Sequence, residues 1–145
     1  MKFFPKPAWF VVVLCLVPSL AQADEASLAA WTQKTVRDAL IKPLAQRESR
    51  SFSRERPPPR ERRVRVLATT ALTDKSGKEF VPFAIDDRFG GDTWNQNVIE
   101  GCLYRGTGYL FVKIGEDYRP SAFLLGKNVG AVKGVCVAAP PPAKS

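Results

Sequence analysis

The residues best equipped for chemistry fall in one stretch, Asp86-Asp87-Arg88-Phe89-Gly90-Gly91-Asp92-Thr93-Trp94. Carboxylates, a guanidinium and an indole this close together are what a small carbohydrate-active site uses. Asp86 or Asp87 with Asp92 or Glu100 would serve as acid and base, and Trp94 would stack on a sugar ring. The same aspartates are candidate calcium ligands, although their spacing departs from the D-x-[DN]-x-[DN]-G loop. The plainer reading is a solvated loop in which Asp86 or Asp92 caps a turn and Arg88 pairs locally. Asp86, Asp87, Arg88, Asp92 and Trp94 are therefore a candidate ligand loop, and no residue is assigned a catalytic role.

What the chain lacks narrows the field. It has 145 residues and no histidine, which excludes a His-dependent triad and a histidine-ligated zinc hydrolase. Gly106-Thr107-Gly108 is followed by no G-K-[ST], so there is no phosphate-binding loop. No C-x-x-C occurs, no cofactor is called for, and beyond the weak calcium pattern above no metal site is assigned.

Positive charge is concentrated in residues 47–65, RESRSFSRERPPPRERRVR, where eight arginines and three glutamates give +5 without a lysine. Pro57-Pro58-Pro59 favours an extended polyproline conformation, so 47–63 reads as an exposed, semi-rigid linker. Guanidinium forks fit carboxylate and phosphate groups at two points. Arg54, Arg56, Arg60, Arg62, Arg63 and Arg65 are thus candidates for contact with an anionic partner, against the simpler reading of a solvated spacer. Aromatic interleaving is confined to Phe52 and does not support nucleic-acid binding.

The remaining segments set the address and the frame. Lys2 and Lys6, the apolar run Ala8–Val17 and the small residues Ala21-Gln22-Ala23 follow the order of a secretory signal peptide over 1–23, with cleavage near Ala23. The apolar run is shorter than the roughly 20 residues a spanning helix needs, so no transmembrane segment is expected after cleavage. A secreted or periplasmic location follows. The mature chain would keep a net charge of +6 and two cysteines, Cys102 and Cys136, which in an exported protein predict a disulfide.

Residues 24–46 read as a short helix with Ser27 as cap, an apolar stripe of Leu28, Trp31, Val36, Ala39, Leu40 and Leu44, and Pro43 ending or kinking it. Residues 64–138 read as five or six strands joined by short turns. These are Val64–Leu72, Phe80–Ile85 with Pro82 marking an edge or bulge, Asn97–Tyr104, Tyr109–Ile114 and Val132–Val137, with Ser121–Leu125 a strand or a helical turn. Residues 139–145 read as a disordered tail. The fold expected is mainly β, a small antiparallel sheet, sandwich or partly open barrel stapled by one disulfide, with a helix and an Arg/Pro-rich linker before it. The function expected is an exported, non-catalytic binding or assembly module of the cell envelope. Its arginine arm would meet an anionic envelope component or another exported protein. The alternative is a small carbohydrate-active or calcium-dependent enzyme using the Asp86–Asp92 loop.

Overall fold

A computed structural model describes residues 20–50 and 58–140 of the chain. Most of the expected leader, Arg54 and Arg56 of the linker and the last five residues of the tail lie outside them.

The described residues open with α1 (Leu20–Val36), pass through a π-helical turn (Arg37–Ile41) and continue as α2 (Lys42–Arg50). Leu28, Thr32, Val36 and Leu40 are its buried residues, spaced by four. A spacing of four outruns the 3.6-residue α turn by about 40° at each step. The wider π turn, in which the Lys42 amide reaches back five residues to the Arg37 carbonyl, takes up that drift. It also precedes Pro43, whose missing amide proton is tolerated in the opening turn of α2. Two expectations are corrected here. Pro43 does not end the helix, which runs on to Arg50, and Ser27 is interior to a helix that starts upstream of it. Thr32 takes a place in the buried stripe because its hydroxyl donates to the Leu28 carbonyl at 2.8 Å, whereas Ala39 is exposed.

Six strands form one open, antiparallel sheet: β1 (Glu61–Val66), β2 (Leu72–Thr73), β3 (Glu79–Arg88), β4 (Asn95–Tyr104), β5 (Leu110–Ile114) and β6 (Asp117–Pro120). The order is β1-β3-β4-β5-β6, with β2 also on β3. The expected first strand is two short ones, since β1 starts at Glu61, inside the expected linker, and the chain leaves the sheet after Val66. That departure explains Pro82, which sits in the central strand β3 and not at an edge. Its carbonyl accepts from the Leu67 amide at 2.9 Å, so its missing donor faces the gap between the end of β1 and β2. Residues 121–125 form a 3-10 turn. Of the expected last strand only Val132 pairs, in an isolated bridge with Tyr118; a second bridge, Asp74 with Ala138, lies just beyond it.

Alternation along the strands divides the sheet into two faces. One carries Val64, Phe83, Ile85, Leu103, Leu110 and Val112 and is covered by Val36 and Leu40 of the helix. Gly101 is needed there, because a Cβ at that position would collide with the Phe111 carbonyl and lie 2.9 Å from the Phe83 ring. The other face carries a second cluster, Phe80, Cys102, Tyr104 and Phe111. Val135 and Cys136 pack against it, held by the Cys102–Cys136 disulfide with Cα atoms 5.7 Å apart. The foot of the tail is fixed as well, since the Ala139 amide donates to the Thr73 carbonyl at 2.8 Å.

Candidate functional site

The arginines of β1 and the aspartates of β3 are brought together by register. Arg62 lies opposite Asp87, Arg63 opposite Asp86 and Arg65 opposite Ala84. The expected ligand loop is therefore two structures. Asp86, Asp87 and Arg88 belong to β3, and only residues 89–94 form a loop.

Neighbouring positions on a strand point to opposite faces, so the two aspartates enter different networks. Asp87 joins the helix side. The Arg62 Nε donates to its Oδ1 at 3.1 Å, while Arg62 Nη1 and Nη2 grip both oxygens of Glu48 on α2 at 2.5 and 2.7 Å. Arg62 is 10% exposed and engaged on both sides. Burial disfavours its charge, but Glu48 and Asp87 outweigh that and hold the guanidinium above its ordinary pKa. Burial pushes the Asp87 carboxyl up, with Arg62 pulling against it. Arg62 thus ties helix to sheet and is not available to a partner, contrary to its placement in an exposed arm.

Asp86 belongs to the helix-free side and is 0% exposed. Its carboxylate accepts from Arg65 Nε and Nη2 at 3.1 Å each, from Arg63 Nε at 2.9 Å and from the Asn97 backbone amide at 2.9 Å. The last bond is made by a bulge. Between the pairs Ile85–Ile99 and Asp87–Asn95 three residues of β4 face one of β3. Asn97 takes φ 56° there, a conformation asparagine tolerates. The side chain of Asp86 replaces the ladder bonds that the bulge removes. Arg65, first among several donors, holds the Asp86 carboxyl well below the usual carboxylate range, despite burial. Asp86 in turn raises the Arg65 guanidinium pKa.

Around this pair lies a guanidinium and indole platform. The Arg63 guanidinium is 4.3 Å and that of Arg88 5.0 Å from the Trp94 ring centroid, within the range of cation–π attraction. Arg88 also pairs with Glu61, and its buried Nε has no hydrogen-bond partner among the described residues. Arg63 remains 40% and Arg65 37% exposed although both are paired to Asp86. Arg60 is exposed at the entry to β1. Asp92 stands apart, exposed in the loop.

This arrangement suits binding better than proton transfer. A fully paired Asp86 with a lowered pKa is a poor general acid near neutral pH. Asp86 and Asp87 face opposite sides of the sheet, so they cannot both join Asp92 or Glu100 at one substrate; Glu100, on the face of Asp86, accepts from the Asn97 side chain at 3.1 Å. Among the described residues, no cluster of three or more histidine, cysteine, aspartate or glutamate side chains is placed to hold a metal ion.

Searches against family models, curated proteins and solved structures find no match. The function has to be argued from the residues themselves.

The sequence held a signal for this site that composition obscured. Glu-Arg-Arg-Val-Arg-Val contains strand alternation, with Arg63 and Arg65 on one face and Val64 on the other, but the count of arginines reads as a linker. Asn97 and Glu48 carried no such signal, because their roles depend on a bulge and on the helix docking.

Proposed function

We propose that this chain is an exported, non-catalytic binding module of the cell envelope that meets an anionic partner through Arg63, Arg65 and Arg88 on the helix-free face of its sheet. The observation that carries the reading is the sharing of one fully buried Asp86 by two arginines that each stay more than one-third exposed. Their forks are held in fixed orientation, so they lose little side-chain freedom when an anion binds. On this patch Arg63 and Arg65 pair with Asp86 and Arg88 with Glu61; Glu100 lies nearby, accepting from the Asn97 side chain that Arg65 also bonds, and Arg60 at the entry to β1 adds a further exposed positive charge. Trp94 adds a flat apolar surface between charged groups, a composition found at interface centres.

The proposal differs from the picture of a free arginine arm in where the contact is made. Export is supported by the leader pattern and by the disulfide, which persists in oxidising compartments. Cleavage near Ala23 would leave Leu28, Thr32, Val36 and Leu40, the buried positions of the helix, in place. No helix among the described residues is long and apolar enough to cross a membrane.

The test is sedimentation of residues 24–145 with the envelope fraction of the cells that make it, at low and high salt. Binding should weaken as salt screens the exposed charges and should fall at least tenfold in the double variant Arg63→Gln, Arg88→Gln, with a cooperative melting transition well above the assay temperature confirming the fold. Salt-indifferent binding, or full binding by that variant, overturns the proposal.

A further inference from the structure

The opposite end of the same sheet face carries a second site. A groove of about 340 Å³ opens between the Asp74–Lys78 turn, the β4–β5 hairpin and the chain around Gly134. That volume is within the range of small-molecule pockets. Three lysines line it, Lys75, Lys78 and Lys133, from two segments far apart in sequence. All three are exposed, and none forms an ion pair among the described residues.

The floor is built and already satisfied. Asp74 is buried, and its carboxylate accepts from the Tyr104 hydroxyl at 2.7 Å, from the Ser76 amide and hydroxyl at 2.9 and 2.7 Å, and from the Lys78 amide at 3.0 Å. The Tyr104 oxygen in turn accepts from the Cys136 amide at 3.1 Å. The Tyr104 hydroxyl, first among these donors, lowers the Asp74 carboxyl pKa to about 2, so its charge is committed to the floor. The lysines outnumber it and leave the mouth positive. Beside them Tyr109 stands 64% exposed, the most exposed of the large apolar residues described. Thr107 adds a hydroxyl to the lining.

We infer that this groove binds a small acidic sugar, its carboxylate on the lysines and its ring stacked on Tyr109. Cations alone would take any anion. An exposed aromatic ring beside hydroxyl groups adds the match to a pyranose, whose apolar C–H face stacks on arene surfaces while its hydroxyls need polar partners. The groove is separate from the arginine platform, and neither proposal depends on the other.

The experiment is an NMR titration of residues 24–145 with sodium glucuronate, with glucose and benzoate in parallel arms. Glucuronate should give saturable amide shifts confined to the 74–78, 105–111 and 133–136 segments. Glucose should bind at least tenfold more weakly because it lacks the charge, and benzoate because it lacks the hydroxyls. Lys78→Gln with Lys133→Gln, both at exposed positions, should weaken glucuronate at least tenfold, and Tyr109→Ala should do the same without altering the remaining spectrum. Absence of localised shifts, glucose binding as tightly as glucuronate, or indifference to the lysine pair overturns the site. Benzoate binding as tightly as glucuronate overturns the sugar assignment.

Discussion

Breaking the Cys102–Cys136 bond should affect the fold more than any exposed substitution. The two cysteines are 34 residues apart, and the chain-entropy relation for a loop of that length gives about 3.8 kcal/mol at 25 °C. The structure adds a reason for the loss to be felt. Cys136 lies outside the regular strands, where the covering segment has two isolated bridges and few backbone bonds to hold it on Phe80, Tyr104 and Phe111. For a domain of this size each kcal/mol moves the midpoint by roughly 4–6 °C, so the melting temperature should fall by about 15–23 °C. Calorimetry of the double variant Cys102→Ser, Cys136→Ser beside wild type measures it, and wild type in reductant is the second arm. A fall of less than about 3 °C in both arms would refute the claim that the staple holds this face.

Asp86→Asn removes the charge that two arginines share and should cost about 2–3 kcal/mol by urea denaturation, the value for a buried charged acceptor with part-exposed donors, whereas Asp92→Asn in the exposed loop should stay within about 0.5 kcal/mol. Gly101→Ala should cost about 3 kcal/mol or more, because the added methyl meets the Phe111 carbonyl and cannot move away from the sheet; near-wild-type stability would refute the need for glycine there. Stability should be level above about pH 4, near the unfolded carboxylate value. It should fall as pH drops toward about 2, because Asp74 and Asp86 have lowered folded-state values and their stabilisation is lost as they take up protons. Asp87, with a raised value, works in the opposite direction: its contribution grows as pH falls through its folded value toward about 4, which softens the acid loss; a denaturation midpoint that does not fall between about pH 4 and pH 2 would contradict this assignment.

Much of the framework was legible in the sequence. The turns at Asp74–Gly77 and Arg105–Gly108, the strands on either side of them and the disulfide follow from turn chemistry and cysteine arithmetic. The errors share a cause. Arg65 already falls in the expected first strand, but Arg62 and Arg63 are individually surface residues, and only the opposing Asp86 and Asp87 make them strand residues, which is a long-range fact. Pro82 suggests an edge or a bulge while its neighbours are unknown; in the structure it sits in a central strand, with its missing donor facing the gap beyond the end of β1. The same holds for Val132–Val137, whose apolar content serves to cover a sheet face and not to join the ladder. The Asp86–Trp94 stretch reads as one polar cluster in the sequence, where nothing tells that its first two carboxylates turn away from each other. The lysine groove was not visible at all, since Lys75, Lys78 and Lys133 meet only through the folded C-terminal segment.

The central claim is that ordered arginines on the sheet, and not a free arm, make the anionic contact. The most direct measurement compares envelope binding of Arg54→Gln, Arg56→Gln with that of Arg63→Gln, Arg88→Gln at matched low salt. The account predicts that the first pair binds within about twofold of wild type and the second loses at least tenfold, an energy of about 1.4 kcal/mol or more. Loss in the first pair with full binding in the second would contradict it and return the contact to the linker.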